Sequence, residues 1–312
     1  MQLSGVVVID KPAGMTSHDV VQGVKKILHV RKAGHTGTLD PLATGVLTVC
    51  TNEATKLVPF LAEEYKEYRV TMRLGIMTDT LDIEGKILAQ KEVTVDAHEI
   101  ERVLMGFMGK IEQRPPRYSA VKYKGKALYK WARKGQPVDA APRSVMIYGI
   151  TLESIQVPDV VFQVSCSRGT YVRSLCSEIG DRLGCGACLC ALRRTKSGPF
   201  VETMAVSLDG GEEAFLRDSL ERKLMTMSEA LSGLDQIVVE DVMAVRLRNG
   251  FQPTVESLAG NEIPSLVAGD VIKLITYDFK LVALARMIRS SDQVASADLK
   301  ERLLEILRVF HA

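Results

Sequence analysis

An aspartate before a proline, in a stretch rich in glycine, is the segment of this 312-residue chain best suited to chemistry: GHTGTLDPLATG, residues 34 to 45. Pro41 disfavours the helical region for Asp40 and holds it extended. Three glycines in the stretch permit tight turns and the close approach of a ligand. A carboxylate fixed in this way can act as nucleophile, general base or metal ligand. A plain turn aspartate carries the same signature, because Asp-Pro commonly opens turns. His35, five residues earlier, is open to the same two readings. A second segment, SCSRGTYVRSL at 165 to 175, joins a strand end to a helix start and puts Tyr171 and Arg173 just inside the helix. An arginine there can orient a carboxylate bidentately, or lie on the surface. Cys185, Cys188 and Cys190 include one Cys-x-x-Cys pair with no histidine near, short of a four-ligand zinc site unless the fold brings Cys166 and Cys176 to them. They read as small buried apolar residues, and no metal is expected.

A third group is defined by charge. Between Lys110 and Arg143 there are ten basic and two acidic residues, a local charge of +8 in a chain of net +2, so the remainder carries −6. Tyr118, Tyr123, Tyr129 and Trp131, the single tryptophan, are interleaved with Lys122, Lys124, Lys126, Lys130 and Lys134. Lysines neutralise phosphates and aromatic faces stack on unpaired bases, so the pattern suits folded or single-stranded RNA better than a membrane. The simpler alternative is a solvated surface hairpin.

The elements that must hold these groups follow from periodicity. Gly5 to Asp10 reads as a strand ended by Lys11-Pro12. Ser17 is the expected cap of a helix with Val20, Val21, Val24, Ile27 and Leu28 on one face. Residues 34 to 45 read as a loop between that helix and a strand at 46 to 50, with a short helix at 53 to 61. In KEYRVTMRL, Tyr68, Val70, Met72 and Leu74 alternate with polar residues, the period of a half-buried strand. Asp96 with Glu99 opens a helix reaching Met105; strands at 145 to 157 and 160 to 166 and a helix at 170 to 183 follow. Helices and strands mix without βαβ alternation, which predicts an α+β fold. After a polar, helix-prone stretch at 203 to 235 the texture turns to short β segments, VIKLITY and KLVALARM, as in a small barrel, with a helix expected at 298 to 310. A domain boundary is expected near 236.

Composition limits the function classes. At 46% hydrophobic and 25% charged the chain should fold, in one large domain or about two. It has no apolar run of the roughly 18 residues a membrane span needs and no signal-peptide pattern at its start, and six sparse cysteines read as reduced thiols, so the cytoplasm is expected. No glycine-rich phosphate loop is present.

Seven segments in order resemble a known family: DKPAGMTS (10 to 17), AGHTGTLDPLATG (33 to 45), EATKL (53 to 57), KEYRVTMRLGIMTDTLDIEG (66 to 85), PPRYSAVKYKGKALYKWARKG (115 to 135), CSRGTYVRSLCSEIG (166 to 180) and LRRTKSG (192 to 198). Over nearly 190 residues the chain is similar to the bacterial tRNA pseudouridine-55 synthases, the TruB type. The resemblance implies a catalytic domain of the pseudouridine synthase type at 1 to 235, with a mixed, largely antiparallel sheet and the basic window of about 110 to 143 as an RNA-gripping insertion. More loosely, it implies a C-terminal β-barrel, a PUA-like RNA-binding domain, at 236 to 312. It makes Asp40 the catalytic aspartate, with Arg173 as its partner. Tyr68 would stack on the target uracil and take part in the final proton removal. Tyr171 and Leu192 would line the pocket, Lys11 would support the active-site loop, and His35 would fill the space left by the displaced nucleotide. The substrate implied is the T stem-loop of tRNA, with no cofactor, no membrane and no obligate protein partner. A non-catalytic tRNA-folding chaperone and a guide-directed pseudouridine synthase are the alternatives, and the basic window argues against the second. Cys188 stands where the family often has histidine, and Cys190 is likewise unusual; neither falls on a residue credited with chemistry.

Overall fold

The computed structural model describes residues 3–62, 65–296 and 298–311. Strand β1, Val6–Lys11, is buried on both faces and so reads as an apolar run rather than an alternation. Val7 and Ile9 enter one core, Val6 and Val8 another on the opposite side. Helix α1, Ser17–Ile27, lays Val20, Val21 and Val24 on the first of these. Its cap is not Ser17 but Thr16. The Thr16 side chain accepts from the Asp19 N–H at 3.1 Å while the Asp19 carboxylate accepts from the Thr16 N–H at 3.0 Å, a reciprocal pair that needs its acid three residues after the cap. Ser17 is thereby free to fasten the next loop: its Oγ accepts from the Leu39 N–H at 2.8 Å and donates to the Leu39 carbonyl at 3.0 Å.

Strand β2, Ala33–His35, lengthens the expected strand region, and the loop proper is 36 to 43, before β3, Thr44–Thr51. A 3-10 turn, Asn52–Leu57, and α2, Val58–Leu61, lead to β4, Lys66–Leu74, where Tyr68, Val70, Met72 and Leu74 are buried as the alternation predicts. Strands β5, Ile76–Thr78, and β6, Ile87–Gln90, pair as a hairpin. Helix α3, Ala97–Met105, is capped by Asp96, and β7, Gly109–Gln113, follows. The basic window is a short hairpin of β8, Lys122–Tyr123, and β9, Lys126–Ala127, with one helical turn, α4, Leu128–Ala132. Strands β10, Arg143–Gln156, and β11, Asp159–Cys166, pair antiparallel, then α5, Val172–Arg182, leads to β12, Ala187–Ser197. Gly180 brings α5 hard against the start of β12, where a Cβ would come within 2.2 Å of the Ala187 nitrogen.

With the short β13, Phe200–Val201, and β14, Val206–Ser207, the strands other than the β5/β6 and β8/β9 pairs form a ten-stranded sheet whose main path is β14-β1-β3-β12-β4-β11-β10-β7, with β2 and β13 off it. It is mixed and mostly antiparallel, with parallel contacts at β1/β14 and β3/β12. Helices α1, α3 and α5 cover one face. On the other lies a second sheet, β15-β16-β17-β18, formed by Gln236–Val238, Val271–Ile275, Leu281–Met287 and Leu304–Val309. Ile275, Leu284 and Phe310 share a core with Val6, Val8 and Val46. Among the described residues this second sheet is open, with β15 and β18 at its edges. The helix expected at 298 to 310 is replaced by β18: its apolar residues suit a helix, but pairing with β17 supplies ladder partners and overrides local propensity. Among the described residues no helix is long and apolar enough to cross a membrane.

Candidate active site

The 36–43 loop, β4, the turn at 119 and 120, the start of α5 and β12 converge on a cleft of about 310 Å³, near the lower end of the roughly 300 to 1,000 Å³ of small-ligand sites. Asp40, Tyr68, Tyr171, Arg173, Leu192 and Arg194 all line it. Asp40 enters from the 36–43 loop, and its side chain stays 33% exposed. Arg173, on the first turn of α5, is 5% exposed and meets that carboxylate with two nitrogens: Nη2 donates to Oδ1 at 3.1 Å, and Nε makes a charge contact with Oδ2 at 2.8 Å whose N–H is not aligned as a hydrogen bond. The rest of the guanidinium is fixed by backbone. Nη1 donates to the Thr80 carbonyl at 3.0 Å and Nη2 to the Tyr118 carbonyl at 2.9 Å. Tyr171 is the N-cap residue of α5 rather than a residue inside it, which turns its ring to the cleft.

Tyr68 faces the loop from β4. Burial raises its phenol above the ordinary range, and the Arg194 guanidinium beside it pulls partly the other way. Arg194 is the largest fully buried side chain; it donates from Nε to the Val46 carbonyl at 2.7 Å and from Nη2 to that of Gly37 at 3.1 Å. Gly45, at φ +96°, lets β3 pass this strand, since a Cβ there would stand 2.3 Å from the Arg194 carbonyl oxygen.

Lys11 lies beneath the loop and does not line the cleft. Fully buried, it donates from Nζ to the carbonyls of Pro12 at 2.8 Å, Pro41 at 3.0 Å and Ala43 at 2.6 Å, so all three ammonium protons are engaged. Burial lowers its pKa to about 8, with Asp40 opposing the shift. His35 sits on β2 outside the cleft lining; burial, then Arg194 and His18, lower its pKa, and its Nδ1 is buried without a partner. The five hairpin lysines do not line the cleft. Lys122, Lys124, Lys130 and Lys134 are exposed, and Lys126 is half-buried with Nζ 4.5 Å over the Trp131 ring. Cys185 and Cys188 are buried, Cys190 partly so, and among the described residues no group of three or more His, Cys, Asp or Glu side chains could hold a metal ion.

Two residues of this constellation escape a reading of the residues alone. Arg194 has a usable signal: Leu192 and Arg194 are two apart on one strand and share a face, so a cleft that takes one takes the other. Asp82 does not. It is buried, accepts from Thr80 Oγ1 at 2.6 Å, and lies 3.7 Å from Arg173 Nη1 across the cation from Asp40. The adjacent Leu81 holds φ +64°, a left-handed conformation that costs a branched residue about 1 to 2 kcal/mol, at the turn that brings the Thr80 carbonyl to Arg173.

Residues 25–172 match the family described as TruB family pseudouridylate synthase (N terminal domain), and 173–238 match the tRNA pseudouridylate synthase B C-terminal domain, which makes this the cleft of a pseudouridylate synthase. The chain is 50% identical over 309 residues to the tRNA pseudouridine synthase B of Syntrophus aciditrophicus (strain SB), covering 99% of each. It is 42% identical to that of Geotalea uraniireducens (strain Rf4), covering 91% of this chain and 92% of the other. It belongs to the TruB family. Among solved structures it is similar to a chain of an H/ACA RNP bound to a substrate RNA containing 2'-deoxyuridine, at TM-score 0.74 and 30% identity over 99% of this chain and 85% of that one. A Cbf5-Nop10-Gar1 complex gives TM-score 0.74 at 32% identity, again over 99% and 85%.

Proposed function

We propose that the cleft converts a uridine of tRNA, position 55 in the T loop, to pseudouridine, with Asp40 as the catalytic carboxylate. The observation that carries this reading is the Asp40 carboxylate held by a buried Arg173 and left open to a cleft walled by Tyr68. The reaction breaks the bond from ribose C1′ to uracil N1, turns the base, joins C1′ to C5 and moves the C5 proton to solvent while N1 gains one. Atoms balance and no electrons are exchanged, so no cofactor is called for. Asp40 assists the departure of the base; Arg173 holds the carboxylate aimed into the cleft. Tyr68 stacks on the uracil and takes part in removing the C5 proton, next to Arg194. Tyr171 and Leu192 confine the detached base, Lys11 fixes the loop, and His35 occupies the space the flipped nucleotide leaves. Extruding the base costs a few kcal/mol, offset by stacking and by phosphate contacts from the hairpin lysines.

Direct action on tRNA is favoured over guide-directed action by the exposed lysines of the hairpin and by 42–50% identity to tRNA pseudouridine synthase B, against 30–32% to the H/ACA chains. Residues 236 to 312 are proposed as a PUA-like RNA-binding unit, supported by the four short strands of the second sheet. Six free thiols and a tRNA substrate support the cytoplasm as the place of action. The test is tritium release from a tRNA transcript labelled at uridine C5, with no guide RNA and no other protein. Release of one tritium per tRNA, lost when U55 is replaced, is expected; no release from the unmodified transcript overturns the reading.

A further inference from the structure

We propose that Gln113 is a positioning residue for the isomerisation: through the peptide of Tyr171 it sets the turn from which Tyr171 and Arg173 enter the cleft. The inference rests on the reading of the cleft above.

Helix α5 begins without a side-chain cap, because its N-cap residue is Tyr171, whose ring lines the cleft. The polar group that fastens this turn comes from 58 residues earlier in the chain. Gln113, the last residue of β7 and 1% exposed, accepts the Tyr171 N–H on Oε1 at 2.7 Å. The other end of the amide, Nε2, is buried without a partner. That asymmetry fixes the orientation, since a flipped amide would set a donor against the Tyr171 N–H, and it identifies the acceptor as the half of the side chain in use. A residue needed only to fill space at the end of a strand has no reason to bury an unmet donor.

The segment after Gln113 continues the attachment. The Arg114 carbonyl accepts from Ser174 Oγ at 2.9 Å and the Tyr118 carbonyl from Arg173 Nη2 at 2.9 Å. Beyond them the Ser119 carbonyl accepts from the Tyr129 N–H at 3.1 Å and that of Val121 from the Leu128 N–H at 2.8 Å, at the base of the lysine hairpin. Gln113 is thus the first side-chain link in a seam that Ser174 and Arg173 continue and that runs from the RNA-gripping segment to the arginine paired with Asp40. A displaced Arg173 would meet the transition state badly while the lysines still bound tRNA, so the loss belongs in kcat rather than KM.

Tritium-release kinetics on Gln113→Met and Gln113→Glu test this in the full chain. Methionine matches the length and removes the acceptor; glutamate keeps the acceptor, exchanges the donor that has no partner for a second oxygen, and places the added charge at a helix N-terminus that favours a carboxylate. Gln113→Met is expected to lower kcat at least tenfold with KM within threefold of wild type, and Gln113→Glu to restore kcat to within threefold. If the methionine variant does not fold, Gln113→Asn, which withdraws the amide by one methylene, carries the same expectation. Equal losses of kcat in the acceptor-free and glutamate variants, a loss confined to KM, or wild-type kcat without the acceptor would overturn the proposal. A wild type that releases no tritium fails the reading of the cleft, and this inference with it; an active wild type with an unaffected Gln113→Met fails this inference alone.

Discussion

The cations of the cleft and those of the hairpin carry the same charge and are held in opposite ways. Lys11, Arg173 and Arg194 are buried, and each commits two or three N–H groups to backbone carbonyls. Lys122, Lys124, Lys130 and Lys134 stand in solvent, and Lys126 leans on the only tryptophan. A cation fixed by carbonyls acts at one place and can favour one arrangement of charge over another. A solvated cation attracts any nearby phosphate at modest geometric cost. The first kind is suited to transition-state stabilisation, the second to binding shared by ground and transition states.

The sharpest way to break this division is at its anionic centre. Asp40→Asn should lower pseudouridine formation by three orders of magnitude or more, about 4 kcal/mol, while tRNA affinity stays within about tenfold, because it removes the carboxylate and no phosphate contact. Appreciable turnover by the variant would remove Asp40 from the chemistry. Tyr68→Phe keeps the stacking ring and removes the hydroxyl beside Arg194, so a loss of about 10² to 10⁴ in kcat with affinity retained is expected of a proton-transfer group. Near-normal rates would leave Tyr68 a platform only.

Lys11 divides catalysis from stability along the pH axis. Above pH 8 it sheds a proton, and with it one of the three hydrogen bonds that tie the loop and Pro12 together, so kcat should fall along an alkaline limb near 8. Stability from this group moves the other way. The unfolded chain keeps Lys11 charged up to its ordinary 10.5, so between 8 and 10.5 the unfolded state binds more protons and the burden of the buried charge is relieved as pH rises. Lys11→Met should lower kcat roughly tenfold, in the range of a misplaced catalytic group, and abolish the limb; a limb that survives the substitution would belong to another group. The smallest effect on turnover belongs to the hairpin. Replacing Lys122, Lys124 and Lys130 together with glutamine should flatten the log–log salt dependence of tRNA binding by about two to three units and leave kcat at saturating tRNA nearly unchanged. An unchanged slope would mean that the hairpin does not face RNA.

How far the sequence discloses this division depends on whether a residue's surroundings are local. Tyr68 is legible because a period of two puts it on the buried face of β4, and Asp40 because Pro41 and the glycines mark a held loop. The hairpin lysines are legible because an exposed charge run needs no partner. The partnership of Arg173 with Asp40 came from family resemblance, since nothing local joins residues 133 apart. Lys11, before a proline at a strand end, carries no local sign of its burial: its place under the loop comes from the family resemblance, and the three carbonyls that close on it belong to two segments. Asp82 looks like a turn residue for the same reason. Thr16 and Ser17 exchanged roles because two adjacent hydroxyls both suit a cap and only the position of Asp19 decides between them. The strand at Leu304–Val309 depends on a neighbouring strand that no local window contains.

The first strand of the chain has a consequence during synthesis. Val6–Lys11 leaves the ribosome before the segments it packs against: it lies between β3 and the late β14, and Val6 and Val8 share their core with Phe310. At about 5 to 20 residues per second, some 300 further residues take roughly 15 to 60 s to translate. Through that interval an apolar β-branched segment that the finished protein buries on both faces has no complete shelter, and such segments are prone to pair with other chains. The nascent protein therefore has reason to depend on chaperone cover over Val6–Lys11 until β18 emerges, and a chain stopped before β18 leaves that segment only partly enclosed.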